Sequence, residues 1–256
     1  MYKLLLTVIT AAFLMSAAPH RPTLYLIGDS TVKNGKDKGD GDLWGWGHYI
    51  ADYFDSTKIG IVNRALGGTS SRTYRTKGLW DSVLEKLQPG DYVIMQFGHN
   101  DGAPLDDTAR ARGTIKGIGD EQKEIYNPIT KQQEVVHSYG WYLTRFIQEA
   151  KAKGATPIVC SPIPRNVWKE GKVVRNNEDY GLWAKQVAEK EGVAFIDLNA
   201  LIADVYDKEG ETKVAGTYFG TKDHTHTIEA GAKLNAGEVV AGIKGVKNLG
   251  LKKYLK

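Results

Sequence analysis

The sequence predicts an α/β domain in which a parallel sheet carries helices on both faces. Short apolar runs rich in β-branched residues alternate along the chain with stretches in which apolar residues recur at helical spacing. Such alternation is typical of parallel sheets that bury both faces under helices. The chain has 256 residues and 41% hydrophobic residues, which suits one large domain with a substantial core.

Five apolar runs predict buried strands at residues 24–27, 59–62, 92–97, 156–160 and 193–196. Helical spacing predicts helices over residues 79–87, 139–152, 180–191 and 228–243. Gly154 and Gly192 follow two of these stretches, where glycine readily takes the left-handed conformation that ends a helix. Residues 102–134 show no clear period, and a loop of that length in a compact domain is usually functional or mobile.

The N-terminal segment predicts a secretory signal peptide. Lys3 precedes an apolar run, and the small residues Ser16, Ala17 and Ala18 follow that run. We therefore expect cleavage of residues 1–18, with residues 19–256 forming a single exported domain, periplasmic or secreted. A hydrophobic first strand or helix of the domain is the alternative. Because no later stretch reaches the roughly 20 apolar residues of a membrane span, no membrane contact is expected after cleavage.

The charge of the chain limits the kinds of partner it can bind, and its single cysteine limits thiol chemistry. The net charge is +4, and subtracting Lys3 of the leader leaves +3. The basic residues are scattered rather than gathered in a stripe, so no nucleic-acid partner is expected, whereas a mild positive bias suits an acidic polymer. Cys160, the only cysteine, lies in an apolar run and is expected to be a core thiol. We expect a monomer without a cofactor.

Ligands of open α/β sheets bind beyond the carboxyl ends of the strands, which directs attention to the residues after each predicted strand. Ser30 follows the first strand within Gly28-Asp29-Ser30-Thr31. A serine at a strand-to-helix turn exposes its hydroxyl, and its backbone N–H lies where developing negative charge is stabilised. Ser30 is thus a candidate nucleophile. The alternative is that Asp29 or Ser30 only caps the following helix.

Two further strand ends offer donors for an oxyanion. After the second strand, Gly67 or Gly68 allows a backbone N–H to approach a ligand closely. After the third strand, Asn100 offers a short, easily fixed side-chain amide. The alternatives are a plain turn at the glycine pair and a helix cap at Asn100.

The fourth segment, Asp223-His224-Thr225-His226, precedes the last predicted helix. Residues three apart face the same side of a helical turn, so Asp223 can orient the ring of His226 as a general base, with His224 as the competing base. The rival interpretation is a metal site built from Asp223, His224 and His226, which would make the chain a metal-dependent phosphoesterase.

Contacts to a substrate are less defined by the sequence. Trp46 offers a ring that can stack on a sugar, Arg72 offers a partner for a uronate carboxylate, and His99 follows the third predicted strand directly before Asn100. Arg112 and Lys116 in the aperiodic segment are further candidates for a carboxylate. The alternatives are core packing for the tryptophan and solvated surface for the basic residues.

These blocks resemble those of the SGNH (GDSL-type) hydrolase superfamily, over residues 22–240. Within it, the chain is most similar to bacterial rhamnogalacturonan acetylesterases, through Gly28-Asp29-Ser30-Thr31-Val32, Gly45-Trp46-Gly47, Asn63-Arg64-Ala65, Ser70-Ser71-Arg72, Phe97-Gly98-His99-Asn100-Asp101 and Asp223-His224-Thr225-His226-Thr227. The resemblance implies a flavodoxin-like three-layer α/β/α sandwich with a five-stranded parallel sheet.

The resemblance also implies roles for individual residues. Ser30 would be the nucleophile, His226 the base and Asp223 its partner, with the Ser30 N–H, the Gly68 N–H and the Asn100 side chain forming the oxyanion hole. The expected reaction is hydrolysis of acetyl esters on an acetylated polysaccharide or oligosaccharide, rhamnogalacturonan in particular. The alternatives are an acetylesterase for another carbohydrate such as xylan, a metal-dependent phosphoesterase, and a non-catalytic carbohydrate-binding module.

Overall fold

A computed structural model of the chain describes residues 20–35, 41–221 and 223–256. The predicted leader, residues 1–18, lies outside the described residues. The strands are β1 (Thr23–Gly28), β2 (Gly60–Asn63), β3 (Tyr92–Gln96), β4 (Gln122–Asn127), β5 (Gln132–His137), β6 (Thr156–Cys160), β7 (Trp168–Lys169), β8 (Lys172–Val173) and β9 (Ala194–Ile196). The α-helices are α1 (Ser71–Thr76), α2 (Leu79–Leu84), α3 (Tyr139–Ala152), α4 (Tyr180–Glu191), α5 (Leu198–Glu209), α6 (Glu211–Tyr218) and α7 (Glu229–Gly245).

Five parallel strands form the central sheet in the order β2-β1-β3-β6-β9. Counted along the sheet strands alone, this is the order 2-1-3-4-5 of flavodoxin-like folds, which confirms the predicted architecture. The chain moves from β1 outward to β2 and then returns past β1 to β3. The crevice at this reversal, beyond the carboxyl ends of β1 and β3, is where such sheets bind their ligands.

Alternation along the strands divides the core into two layers. Leu24 and Leu26 of β1 pack into one hydrophobic cluster together with residues of α5, α6 and α7. Tyr25 and Ile27 point the other way and pack with residues of α1, α2, α3 and α4. Because successive side chains of a strand point to opposite faces, apolar residues at every position bury both faces of the sheet. The result is a three-layer α/β/α sandwich.

Most predicted elements match the observed ones closely. The five predicted strands correspond to β1, β2, β3, β6 and β9, and the predicted helices over residues 139–152 and 180–191 coincide with α3 and α4. The helix predicted over residues 79–87 ends earlier, at Leu84. The helices α1, α5 and α6 were not predicted. No helix among the described residues is long and apolar enough to cross a membrane.

The segment over residues 102–134 contains structure that the sequence did not indicate. Strands β4 and β5 pair in antiparallel register, from Gln122 opposite His137 to Asn127 opposite Gln132. Most side chains of this hairpin are exposed, so it lacks the apolar alternation from which a strand is predicted. Its turn is held by Asn127, whose Oδ1 accepts from the backbone N–H groups of Ile129 and Thr130.

Candidate active site

Ser30 lies in a tight turn at the carboxyl end of β1. The Asp29 carboxylate holds the turn, because its Oδ1 accepts from both the backbone N–H and the hydroxyl of Thr31, each at 2.8 Å. Glycine is required at the preceding position. A Cβ on Gly28 would lie 2.6 Å from the Gln96 carbonyl oxygen and 2.7 Å from a methyl carbon of Val32. The close packing of this turn presents the Ser30 hydroxyl above the sheet.

The segment before α7 brings a histidine to this hydroxyl. His226 Nε2 lies 2.7 Å from Ser30 Oγ, and His226 Nδ1 lies 2.6 Å from Asp223 Oδ2. Asp223 also closes the turn, since its Oδ1 accepts from the backbone N–H groups of Thr225 and His226. Partial burial raises the pKa of Asp223, but the hydrogen bonds from His226 and the backbone outweigh it and keep that pKa below its ordinary value.

This geometry has a direct chemical consequence. An ionised Asp223 favours the tautomer with its proton on Nδ1, which leaves Nε2 to accept from the Ser30 hydroxyl. His224 contributes differently: its backbone carbonyl accepts from the Asn166 N–H at 2.7 Å, which ties the turn to the loop after β6. The structure therefore joins Ser30 to His226 rather than to His224.

The donors predicted for an oxyanion flank the same hydroxyl. Ser30, Gly68 and Asn100 all line one cleft. One N–H of the Asn100 amide donates to the Thr69 carbonyl at 2.8 Å, which fixes the side chain and leaves the other N–H for a ligand. Gly68 has φ +78°, in the left-handed region where glycine is favoured. Arg112 Nη1 donates to the Gly68 carbonyl at 3.2 Å and so steadies this backbone.

The cleft around Ser30 is basic and has a volume of about 660 Å³. Five cationic side chains line it, and no Asp or Glu of the described residues does; the cations are Lys33, Lys77, Arg110, Arg112 and Arg165. Of these, only Arg112 was a candidate substrate contact from the sequence. The sequence gives little indication that the other four line a cleft, because scattered basic residues normally lie on the solvated surface.

Arg72 does not line the cleft, which corrects its prediction as a substrate contact. Its side chain is fully buried. The guanidinium donates to both carboxylate oxygens of Glu134 and to the carbonyl oxygens of Leu105 and Gly113. Arg72 thus anchors the segment over residues 102–137 to helix α1. The sequence could not show that Arg72 is an anchor and not a substrate contact. An arginine at this position of the motif looks the same in the sequence whether its side chain is buried or exposed.

Trp46 is likewise buried completely and cannot stack on a sugar, so its prediction as a substrate contact is also wrong. Its indole N–H donates to Gln96 Oε1 at 2.9 Å, and Gln96 Nε2 donates to Thr31 Oγ1 at 2.6 Å. Thr31 in turn donates to Asp29. A chain of buried hydrogen bonds therefore runs from Trp46 to the turn that carries Ser30, and Trp46 supports that turn from below.

His99 lies in the wall of the cleft, as a substrate contact would. Burial lowers its pKa to about 4, which keeps the ring neutral near pH 7. Its Nε2 is buried and, among the described residues, finds no hydrogen-bond partner. The backbone carbonyl of His99 accepts from Arg165 at 3.2 Å, and this hydrogen bond links the segment after β3 to the loop after β6.

The metal interpretation finds little support in the arrangement of side chains. Both ring nitrogens of His226 are engaged, one by Asp223 and the other by Ser30. Within residues 20–35, 41–221 and 223–256, no group of three or more His, Cys, Asp or Glu side chains is arranged to hold a metal ion. Cys160 is buried in the core, and burial raises the pKa of its thiol far above the ordinary range.

The Ser30 hydroxyl is hydrogen-bonded to a histidine that an aspartate orients, and the three side chains meet at the switch point of a flavodoxin-like sheet. This arrangement defines a serine hydrolase. The model of the GDSL-like lipase/acylhydrolase family matches residues 26–234, which include every residue of this site. The chain belongs to this family, and it is a serine ester hydrolase.

Two relatives are similar over most of the chain. A rhamnogalacturonan acetylesterase of Emericella nidulans is 34% identical over 215 residues, which cover 84% of this chain and 81% of the relative. The rhamnogalacturonan acetylesterase RhgT of Bacillus subtilis is 29% identical over 241 residues, covering 89% of this chain and 90% of the relative.

Solved structures share the fold. The YxiM protein of Bacillus subtilis matches with a TM-score of 0.70 at 26% identity over 88% of this chain, which spans only 56% of the YxiM chain. Axe2, an acetylxylan esterase from Geobacillus stearothermophilus, matches with a TM-score of 0.56 at 20% identity, covering 88% of this chain and 95% of that chain.

Proposed function

We propose that this chain is an exported carbohydrate esterase that removes acetyl groups from rhamnogalacturonan or a closely similar pectic polysaccharide. The contact between Ser30 Oγ and His226 Nε2 at 2.7 Å carries the proposal, because it supplies an activated nucleophile. The basic cleft favours an acidic polymer over neutral xylan. The names of the relatives in Emericella nidulans and Bacillus subtilis point to the same substrate.

The proposed reaction has two steps. Ser30 Oγ bonds to the acetyl carbonyl carbon while its proton moves to His226 Nε2, and the Ser30 N–H, the Gly68 N–H and the Asn100 amide stabilise the oxyanion. The bond from the carbonyl carbon to the sugar oxygen then breaks, and His226 returns the proton to that oxygen. Water attacks the acetyl group on Ser30 in the same way and releases acetate.

The test is acetate release from native rhamnogalacturonan, pectin, acetylated xylan and acetylated mannan. We expect rhamnogalacturonan to be the preferred polymer, and we expect Ser30→Ala to abolish release from all of them. Ser82→Ala is the matched control, because Ser82 lies on α2 and only donates to the Gly78 carbonyl. Preference for xylan would support the alternative acetylesterase. Activity that survives Ser30→Ala but is lost with EDTA would support the metal-dependent alternative.

A separate part of the proposal concerns export and domain organisation. The order of charge, apolar run and small residues in residues 1–18 supports cleavage of a leader. Packing of both helical layers on one sheet supports residues 19–256 as a single domain. Mass spectrometry of the protein recovered outside the cytoplasm should show a chain that begins near residue 19. Retention of Met1 in that protein would contradict the proposal.

A further inference from the structure

Two arginines stand beside the glycine of the proposed oxyanion hole. Both come from the segment before the β4–β5 hairpin, and the Nη1 atoms of Arg110 and Arg112 lie 3.7 and 3.9 Å from the point where a Cβ on Gly68 would be. Arg112 also bonds to the Gly68 carbonyl. The positive charge is therefore placed next to the reacting centre and not on a remote surface.

No carboxylate of the described residues pairs with the guanidinium groups of Arg110, Arg112 or Arg165. Asp107 acts on Arg112 only through its charge and uses its Oδ1 to accept from the backbone N–H groups of Ala109 and Arg110. Burial, and next the neighbouring Arg110 cation, lower the pKa of Arg112 below its ordinary value. Clustered cations of this kind repel one another, and an anion bound between them would relieve the repulsion.

Arg165, in the loop after β6, lines the same cleft as Arg110 and Arg112. A smaller cavity of about 340 Å³ adjoins the cleft and shares His99, Asn100, Arg112 and Arg165 with it. Arg112 and Arg165 thus stand between two adjoining spaces.

We infer that Arg110, Arg112 and Arg165 form a subsite for a uronate carboxylate of the polymer, beside the ester that Ser30 is proposed to cleave. The inference rests on the proposed function, which it deepens by naming the residues that select an acidic polymer. A guanidinium matches a carboxylate with two parallel N–H donors, whereas a neutral sugar offers no anionic partner to these charges, of which Arg112 is half-buried and Arg110 and Arg165 are exposed. Selection of acidic over neutral carbohydrate therefore occurs beside the ester rather than at the catalytic residues.

Binding measured without turnover tests the subsite. The Ser30→Ala protein is titrated calorimetrically with rhamnogalacturonan oligosaccharides stripped of acetyl groups, and with the same oligosaccharides after reduction of their carboxyl groups. We expect the acidic form to bind at least about tenfold more tightly, since a charge-assisted hydrogen bond exceeds the roughly 1.4 kcal/mol of a tenfold change. Adding Arg110→Gln should remove most of this difference. Arg110 is the chosen position because its side chain makes no hydrogen bond to the backbone of the described residues that the substitution would remove.

Lys244→Gln is the matched control, because Lys244 is an exposed cation on α7 that does not line the cleft. It should leave the preference for the acidic oligosaccharides as it is. Equal affinity of the Arg110→Gln and parent proteins for those oligosaccharides would overturn the subsite, even if Ser30 releases acetate normally. A preference that depends on Arg110 in a protein without acetylesterase activity would retain the subsite and contradict the proposed function.

Discussion

Arg72 on α1 and Glu134 on β5 form a two-pronged ion pair, with Arg72 Nε 2.7 Å from Glu134 Oε1 and Arg72 Nη2 2.6 Å from Glu134 Oε2. Asn127 donates to the same carboxylate from the start of the hairpin turn. Through Gly113, Arg72 also holds the backbone next to Arg112. One buried side chain therefore positions the hairpin and one wall of the cleft together.

Replacing Arg72 should destabilise the protein strongly. Arg72→Met leaves the Glu134 carboxylate largely buried without its partner, which costs about 3–5 kcal/mol in comparable cases. Urea denaturation measures the change in the free energy of unfolding. Arg145→Met is the control, because Arg145 forms a more exposed ion pair with Glu149 and should cost about 1 kcal/mol or less. Equal losses for the two variants would show that Arg72 is not an anchor.

Gly68→Ala should lower both stability and activity. The position has φ +78°, which strains any residue with a Cβ, at a cost of roughly 1 kcal/mol or more. The strain would also shift an N–H that is proposed to bind the oxyanion, so kcat should fall. Gly216→Ala is the control, since Gly216 lies within α6 with open space around it and alanine there should stabilise the helix. Thermal unfolding and kcat on 4-nitrophenyl acetate provide the two readouts.

Asp101 should make stability depend on pH. Burial raises its pKa to about 7, although hydrogen bonds from Ser71 oppose the shift. Its ordinary pKa is 3.8, so between these values the folded protein holds a proton that the unfolded chain has released. The stabilising contribution is complete below pH 3.8 and is lost as the pH rises through about 7.

Asp101→Asn removes this titration while keeping an oxygen that can accept from Ser71. The variant should therefore gain stability relative to the parent as the pH rises from 5 to 8, by at most about 1.4 kcal/mol per pH unit. Subtracting the parent cancels the other titrating groups. Stability profiles that run parallel over this interval would mean that Asp101 does not titrate there.

Asn100→Ala should reduce kcat about 100- to 1000-fold, the usual effect of losing one oxyanion donor. The variant also loses the bond to the Thr69 carbonyl, so a control must separate catalysis from stability. Asn199→Ala serves this purpose, because Asn199 is buried away from the cleft and donates to the Pro162 carbonyl. It should lower stability and leave kcat near the parent value. A near-normal kcat in Asn100→Ala would exclude this amide from the reaction.

The elements predicted best are those in which the pattern of apolar residues matches the faces that the fold buries. The parallel strands are apolar at nearly every position, because both of their faces are covered, and helices α3 and α4 carry an apolar stripe. The hairpin of β4 and β5 was not predicted. Most of its side chains are exposed, so it lacks an apolar pattern, and it is stabilised by residues distant in sequence, above all Arg72.

The same distinction applies to the candidate site. Ser30, Asn100 and the Asp223–His226 pair were found because each follows a strand or precedes a helix, and the fold brings such ends to one edge of the sheet. Trp46 and Arg72 were misassigned as substrate contacts. The presence of a large aromatic or basic residue near a motif does not show whether its side chain faces the cleft or the core.

The sequence by itself determined the succession of strands and helices along the chain, because local periodicity and turn chemistry are written in consecutive positions. The resemblance of its motifs indicated the family and the residues that meet at Ser30. Only the tertiary structure decided which arginines face the cleft and which one is buried. Burial depends on contacts between residues far apart in the chain, such as Arg72 with Glu134 and Arg112 with Gly68, and no local pattern encodes those distances.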